Sequence, residues 1–208
     1  MEINLSSIGI EKAKQYETII TTINPDGTKN AAPIGALCIN ENTILCRIFK
    51  GSKTLDNILR EKKFTANITK DPELFTLSLL GNLPEDRFDE DNHIKDIDAY
   101  FKCEVISFKE AVKQSDPIKK KGEAIVFKSR VVELVINNEI NAYNRAFDYV
   151  VESLANLTRF DIVDDETKEF YLKQFREAKR VVNKVGYKKE KEAMDEIKKE
   201  LMKKGYEL

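Results

Sequence analysis

The chain has 208 residues, of which 41% are hydrophobic and 34% are charged, and its 35 basic residues nearly balance its 36 acidic ones. This composition is typical of a soluble globular protein, and the charge balance argues against a protein whose main task is to coat nucleic acid. No apolar run approaches the roughly 18 residues that a membrane span needs, and a single histidine excludes a histidine-rich zinc centre within one chain.

The N-terminal segment and the cysteines indicate where the protein works. No basic stretch followed by an apolar stretch begins the chain, so no secretory signal is expected. Cys38, Cys46 and Cys103 are odd in number and far apart, which favours buried thiols in a reducing compartment. We therefore expect a cytoplasmic protein with no membrane partner.

Short apolar runs alternate with turn signals over the first two thirds of the chain, a pattern that predicts an antiparallel barrel or sandwich. The strands at 16–24 and 29–39 flank the turn Pro25-Asp26-Gly27 and should form a hairpin. A helix is expected at about 53–62 and an apolar segment at 74–80. Further strands are predicted at 43–49, 64–69, 99–108 and 123–136.

Two charged loops interrupt the later strands. The loop at 82–98 is acidic, and the loop at 113–121 is rich in lysine. An EF-hand calcium loop starting at Asp89 would need a ligand and a glycine at its fifth and sixth positions, where this chain has His93 and Ile94. We therefore expect a solvated loop or a partner contact without a metal, with His93 exposed.

From about residue 138 the apolar residues recur every three or four positions, which predicts amphipathic helices. Three are expected, around 143–157, 170–182 and 193–201. The predicted organisation is a β domain at 1–137 and a helical subdomain at 138–208 packed on it.

Residues 47–67 run from a strand through a Gly-Ser-Lys-Thr turn into the short helix. Ser52 is a favourable N-cap, and Arg47, Lys50 and Lys53 lie close to the positive end of the helix dipole. Such a helix start suits an anion such as phosphate. It is not a P-loop, because the required glycine spacing is absent. The alternative is that Ser52 only starts a helix.

Short elements follow one another along the β region: Asp26-Gly27, Asn30-x-x-Pro33-x-Gly35, Ser52-x-Thr54-x-x-Asn57-Ile58 and Phe64-x-x-Asn67. This series resembles the FMN-binding split barrels, which include flavin reductases. The helical region adds Asn144-Arg145-Ala146 and Glu152-x-Leu154-x-x-x-Thr158-Arg159. With these two elements the chain more closely resembles an archaeal family catalogued as domain of unknown function 447, over roughly residues 14 to 200.

The resemblance implies a mainly β fold with added α-helices: an antiparallel split β-barrel that binds FMN, followed by a C-terminal helical subdomain. It also implies a homodimer of six-stranded barrels with FMN at the subunit interface. The family has no established reaction, so the resemblance implies the cofactor more directly than the chemistry.

The phosphate of FMN is expected at the helix start. Hydroxyls and backbone N–H groups of Ser52 and Thr54 would hold it, with Arg47, Lys50 or Lys53 as the neutralising cation. Asn57, one turn further on, would reach the same group or cap a neighbouring strand. The two roles of Asn57 stay open.

The flavin ring needs main-chain donors and acceptors at its polar edge. Ala32, Pro33, Ile34 and Gly35 can supply them, because small residues let a backbone approach and a proline in a strand indicates an edge or a bulge. Phe49 would line the apolar edge of the ring, or else point into the core.

Asn144 and Arg145 begin the helical region and are the last candidate residues. Arg145 would reach the flavin or a substrate anion, since its planar guanidinium suits carboxylates and phosphates. An interface or surface ion pair is the alternative for Arg145, and Arg159 is similar.

A bound flavin would carry the redox step, and no general acid stands out in the sequence. This fits a flavin reductase that uses NADH or NADPH as donor. It also fits an FMN-binding or storage protein without turnover. A third alternative is an interaction module whose lysine-rich tail binds a protein or a nucleic acid.

Overall fold

The computed structural model describes residues 3–112 and 123–206, and the predicted lysine-rich loop at 113–121 lies outside these described residues. The chain divides into two compact units, Met1–Tyr143 and Asn144–Leu208.

The first unit is a closed antiparallel barrel of six strands, and the predicted fold class is confirmed. The strands are β1 (Gln15–Ile23), β2 (Lys29–Asn40), β3 (Thr43–Phe49), β4 (Lys63–Ile68), β5 (Ala99–Val112) and β6 (Glu123–Ile136). Most of these bounds lie within one residue of those predicted. The strand order around the barrel is β1-β2-β3-β6-β5-β4. Helix α1 (Lys53–Glu61) connects β3 to β4, and α2 (Pro72–Leu80) follows β4 in place of the predicted apolar segment.

The barrel interior is filled by large apolar side chains such as Phe101 and Phe127, which are fully buried. A short 3-10 turn at Leu5–Ile8 adds two more buried side chains to the same core. The Leu5 N–H donates to the carbonyl of Glu41. The N-terminal segment is therefore part of the barrel core, a role that its sequence did not predict.

The acidic loop at 82–98 covers the outer face of the barrel. Phe88, Ile94 and Ile97 are buried there in a second apolar cluster that includes Leu74 of α2. The His93 ring stacks on Tyr100 with 4.0 Å between ring centroids. The expectation of an exposed histidine is therefore wrong, because the apolar residues of the loop pack on the sheet and hold His93 against Tyr100, whereas most of the charged residues of the loop are exposed.

The second unit contains α3 (Ala146–Arg159), α4 (Asp165–Val185) and α5 (Lys188–Lys203) around a core of its own. A Cβ atom at Gly186 would lie 2.7 Å from the Val182 carbonyl oxygen and 3.2 Å from the Ala146 Cβ atom. Small residues at 146 and 186 thus allow the start of α3 to pack against the end of α4. No helix in the described parts of the chain is both long and apolar enough to cross a membrane.

The segment between β6 and α3 is bonded to the barrel. The Ala142 N–H donates to the Ile8 carbonyl, and the Tyr143 carbonyl accepts from the Glu17 N–H. Residues up to Tyr143 therefore belong to the first unit by their contacts, and the first helix of the second unit begins only at Ala146.

Native protein should resist thiol reagents at mildly alkaline pH. Burial raises the pKa of Cys46 to about 12 and the pKa of Cys103 well above its ordinary value. The pKa of an unfolded thiol is about 8.5. Ellman's reagent should label the native thiols far more slowly than the urea-unfolded ones. Because the unfolded thiols lose their protons at a lower pH than the buried ones, the free energy of unfolding should fall as the pH rises from about 8.5 towards 12. Rapid labelling of native Cys46 would contradict this burial.

Candidate functional site

The first half of β2 is a free edge of the sheet. Residues from Lys29 to Leu37 pair with β1, but pairing of β2 with β3 begins only at Ala36 and Cys46. Within the described residues, no strand pairs with the other side of 29–35. Pro33 lies in this segment, as expected for a residue without a backbone donor. The Lys29 N–H donates to the Glu85 carboxylate at 3.3 Å, and the main-chain groups of Ala31 and Pro33 on this side have no strand partner within the described residues.

The start of α1 presents two main-chain donors. The Ser52 hydroxyl accepts from the Leu55 N–H at 3.3 Å and donates to the Phe49 carbonyl at 3.1 Å. The N–H groups of Lys53 and Thr54 belong to the first turn and have no partner within the helix. Gly51 precedes them with φ +85°, and a Cβ atom there would meet nothing within 4 Å. This end of the helix therefore combines a partial positive charge with open space.

A polar network joins the strand edge to the helix start. The Asn30 side-chain amide donates to the Thr54 hydroxyl at 2.9 Å and to the Thr22 hydroxyl at 3.2 Å. The Asn57 amide donates to the same Thr22 hydroxyl at 3.0 Å and to the Asn24 side-chain oxygen at 2.9 Å. The network thus fixes α1 relative to β1 and β2.

Asn57 is a connector between elements. Both of its amide hydrogens are used, and its side-chain oxygen accepts from Arg60 at 3.1 Å. No donor of this amide remains for a phosphate. Of the two roles expected for Asn57, its contacts match the one that ties the helix to a neighbouring strand.

The three predicted cations differ in how their charges are compensated. The Lys50 ammonium lies 2.9 Å from Glu123 and 3.1 Å from Glu110, and these hydrogen bonds raise its pKa. Lys53 is exposed and makes no ion pair within the described residues. Lys53 is therefore better placed than Lys50 to neutralise an anion at the helix start.

Arg47 and Phe49 lie on the same outer face of β3, because alternate residues of a strand share a face. The Arg47 guanidinium carbon lies 5.2 Å from the centroid of the Phe49 ring, a cation–π distance. Phe49 is 41% exposed, whereas Ile48 between them is buried in the core. An inward position of Phe49, one of the two alternatives, is therefore wrong.

The four β2 candidates, Ala32, Pro33, Ile34 and Gly35, are all half-buried. The Ile34 carbonyl already accepts from the Thr18 hydroxyl at 2.7 Å. A Cβ atom at Gly35 would lie 2.4 Å from the Gln15 amide nitrogen. A larger residue at 35 would displace the flexible end of the Gln15 side chain, a contact unrelated to the close approach of a flavin ring.

Asn144 and Arg145 lie in the helical unit. The Asn144 amide donates to the Val185 carbonyl at 3.0 Å, and its oxygen accepts from the Ala146 N–H at 2.9 Å. Arg145 contributes, after the larger effect of Arg180, to lowering the pKa of Glu177. All of these interactions lie inside the helical unit, and those of Asn144 tie the start of α3 to the end of α4.

Sequence reasoning missed part of the polar network. Thr22, Asn24 and Asn30 were not among the candidate residues, although Asn30 belongs to the Asn-x-x-Pro-x-Gly element. An asparagine at the start of a strand, next to a proline that indicates a free edge, was the signal available. Thr22 and Asn24 stand at the end of the preceding strand, with no pattern that distinguishes them from ordinary turn-flanking residues.

A wider depression of about 380 Å³ lies outside the site, lined partly by residues of β4, β5 and the acidic loop. Some of its charged groups are ion-paired: Lys102 pairs with Asp91 and Glu133, and Glu104 pairs with Arg130. With four carboxylates and two lysines in its described lining, the depression does not concentrate positive charge for an anionic cofactor.

The fold and the site together define a class: a six-stranded antiparallel barrel with a free strand edge beside a cationic helix start, followed by a helical unit. Two models of a family described as a protein of unknown function, DUF447, match this chain. The model of the N-terminal domain of the family matches residues 16–138, and a second model of the family matches residues 144–199. The chain belongs to the DUF447 family, as the resemblance implied.

Solved structures similar to this chain include a flavoprotein of the same family. The crystal structure of an FMN-bound DUF447 protein from Methanosarcina mazei is 28% identical, with a TM-score of 0.53, and the match covers 94% of this chain and 99% of that one. The cofactor predicted from the sequence, FMN, is the one bound by that relative.

Two flavin reductases are more distant. Flavin reductase PheA2 is 21% identical with a TM-score of 0.46, over 61% of this chain and 83% of its own. The flavin reductase of styrene monooxygenase from Pseudomonas putida S12 is 12% identical with a TM-score of 0.48, over 60% and 82%. At these scores neither bears on the function of this chain.

Replacing Asn57 by alanine should destabilise the barrel even without a ligand. The change leaves buried polar groups without partners, at a cost of about 1–3 kcal/mol in the free energy of unfolding. Urea unfolding of the flavin-free protein, followed by circular dichroism, measures it. Asn138→Ala, which removes an exposed amide bonded to Asp98, is the matched control and should cost much less. Equal stabilities of the two variants would show that the network does not hold α1.

Proposed function

We propose that this chain binds FMN at the free edge of β2 and the start of α1, and that it acts as a flavin reductase with NADH or NADPH as donor. One observation carries the proposal: the hydrogen bond from Asn30 to Thr54 places an unpaired strand edge next to a cationic helix start. The two polar ends of one flavin, the pyrimidine edge of the ring and the phosphate, then have partners on adjoining elements. The FMN-bound relative supports the choice of ligand.

The phosphate fits the start of α1. It would accept from the free N–H groups of Lys53 and Thr54, with Lys53 and Arg47 supplying positive charge. The Thr54 hydroxyl accepts from Asn30 and keeps its own hydrogen to donate. Ser52 acts by capping the helix, since its hydroxyl already donates once and accepts once.

The ring fits the strand edge. Main-chain groups of Ala31 to Pro33 on the unpaired side of β2 suit the polar pyrimidine edge. Phe49 and the aliphatic stem of Arg47 offer an apolar surface at the end of β3 for the benzenoid edge. The homodimer implied by the family resemblance is part of this proposal, and light scattering of the purified protein tests it.

When bound, FMN supplies the hydride and electron transfer chemistry, and the protein supplies binding and orientation. The proposed residues are hydrogen-bond donors and cations, which hold an anionic cofactor and stabilise negative charge. Reduction of a flavin by a nicotinamide needs little proton management, so a site of this composition suits that reaction.

The test of this function is the visible absorption spectrum of the purified protein, recorded before and after soaking with FMN and desalting. A retained flavin spectrum that bleaches on anaerobic addition of NADH or NADPH is the expected result. Retained flavin without bleaching would contradict the reductase and leave a binding protein. A protein that retains no flavin would contradict both.

Thr54→Val should weaken FMN binding and leave riboflavin binding nearly unchanged. The variant keeps the shape of the side chain but removes the hydroxyl proposed to contact the phosphate, which riboflavin lacks. The expected loss for FMN is about tenfold, the order of one hydrogen bond to a charged group. Flavin fluorescence quenching measures both affinities.

The control for this variant is Thr76→Val, which removes an exposed hydroxyl that donates to the Pro72 carbonyl in α2. It should bind both flavins as the parent does. If Thr54→Val lost FMN and riboflavin affinity equally, the defect would lie at the ring or in the fold, and the phosphate assignment would fail.

A further inference from the structure

A small cavity of about 80 Å³ lies beside the start of α1. Two lysines, two asparagines and one serine line it together with small and apolar residues, and no carboxylate is among the described residues that form its wall. Its polar lining residues are Asn24, Lys29, Asn30, Lys53 and Ser78. We name it the Lys29–Ser78 cavity.

Ser78 is the unusual member of this wall. It is only 2% exposed, and its hydroxyl oxygen has no hydrogen-bond partner among the described residues. Serine and threonine in helices often donate to a carbonyl one turn earlier, as Thr76 of the same helix does to Pro72. A buried hydroxyl without a partner is unfavourable, so Ser78 indicates that a group from outside the chain completes its hydrogen bonding.

Both lysines of the wall keep hydrogen-bonding capacity and positive charge. The Lys29 ammonium donates to the Asp89 carbonyl at 2.5 Å, which leaves two of its hydrogens. Its charge also acts on the Asp89 side chain, whose pKa is lowered by the Asp91 N–H and, less strongly, by His93 and Lys29. Lys53 makes no ion pair in the described parts of the chain, and its electrostatic partner Asp26 is hydrogen-bonded to Thr28 at 2.6 Å. The start of α1 adds a partial positive charge.

The two asparagines mainly form the wall of the cavity, because most of their amide hydrogens are already used within the protein. The Asn30 amide spends its hydrogens on Thr22 and Thr54, and the Asn24 amide donates to the Thr28 hydroxyl. The donors left for a ligand are therefore the two ammonium groups, the Ser78 hydroxyl and the second hydrogen of the Asn24 amide. Donors of this kind, two of them cationic, suit a compact oxyanion.

We propose that the Lys29–Ser78 cavity is a phosphate subsite, with Lys29 and Lys53 as its cations and Ser78 as its hydroxyl donor. At about 80 Å³ the cavity has room for one phosphate group. The group can come from FMN itself or from a second ligand that carries a phosphate. The subsite is a proposal separate from flavin binding, because inorganic phosphate and flavin-free protein are enough to test it.

The test is a calorimetric titration of the flavin-free protein with inorganic phosphate at low ionic strength. Lys29→Met should weaken phosphate binding about tenfold, the order of one charge-assisted hydrogen bond. Lys70→Met removes an exposed lysine that does not line the cavity and should leave binding unchanged. No binding at millimolar phosphate, or equal losses in the two variants, would overturn the subsite.

Ser78→Ala separates a ligand role from a structural one. Because the hydroxyl has no partner within the described chain, its removal should keep or raise the melting temperature in phosphate-free buffer while it weakens phosphate binding several-fold. A lower melting temperature with unchanged phosphate affinity would assign Ser78 to the fold and contradict the proposal.

Repeating the titration on protein saturated with FMN identifies the source of the phosphate. Loss of inorganic phosphate binding would assign the subsite to the phosphate of FMN, and retained binding would assign it to a second ligand. If the protein binds no FMN at all, the proposed function fails, while the flavin-free titration still decides the subsite.

Discussion

The buried hydrogen bonds that hold α1 against β1 and β2 are the constraint on which the candidate site depends. Asn30 and Asn57 approach the Thr22 hydroxyl from a strand and a helix, and each amide also bonds a second partner. In a low-dielectric interior an amide that loses its partner is costly, so the helix start has one favourable position. The unpaired edge of β2 is thereby held beside the positive end of α1.

This arrangement also separates the roles of neighbouring cations. Lys50, one residue before the glycine turn, is neutralised by two carboxylates at the ends of β5 and β6. Lys53, one residue after the N-cap, carries no such pair in the described residues. Lys50 and Lys53 are only three positions apart, yet Lys50 forms structural ion pairs and Lys53 is a candidate anion ligand. Only the three-dimensional contacts distinguish the two lysines.

The sequence predicted what local patterns determine and missed what distant contacts determine. The hairpin turn, the Ser52 cap and the edge character of Pro33 follow from local chemistry, and short motifs in order indicated the family. The contact of Thr22 with Asn57 spans 35 positions of the chain. The burial of Ser78 without a partner among the described residues is likewise a result of tertiary packing, since Thr76 in the same helix is exposed and donates to Pro72. The prediction for His93 was wrong because the many charged neighbours outweighed Phe88, Ile94 and Ile97, whose packing holds the loop on the barrel.

The most direct test of the central claim, that FMN binds at the start of α1 and the edge of β2, is a titration of ¹⁵N-labelled protein with FMN, followed by amide chemical shifts. The account predicts the largest changes at the backbone N–H groups of Lys53 and Thr54 and of Ala31, Ala32, Ile34 and Gly35, since Pro33 has no N–H. With riboflavin, the changes at Lys53 and Thr54 should shrink while those on β2 remain. FMN binding that left both segments unshifted would contradict the account.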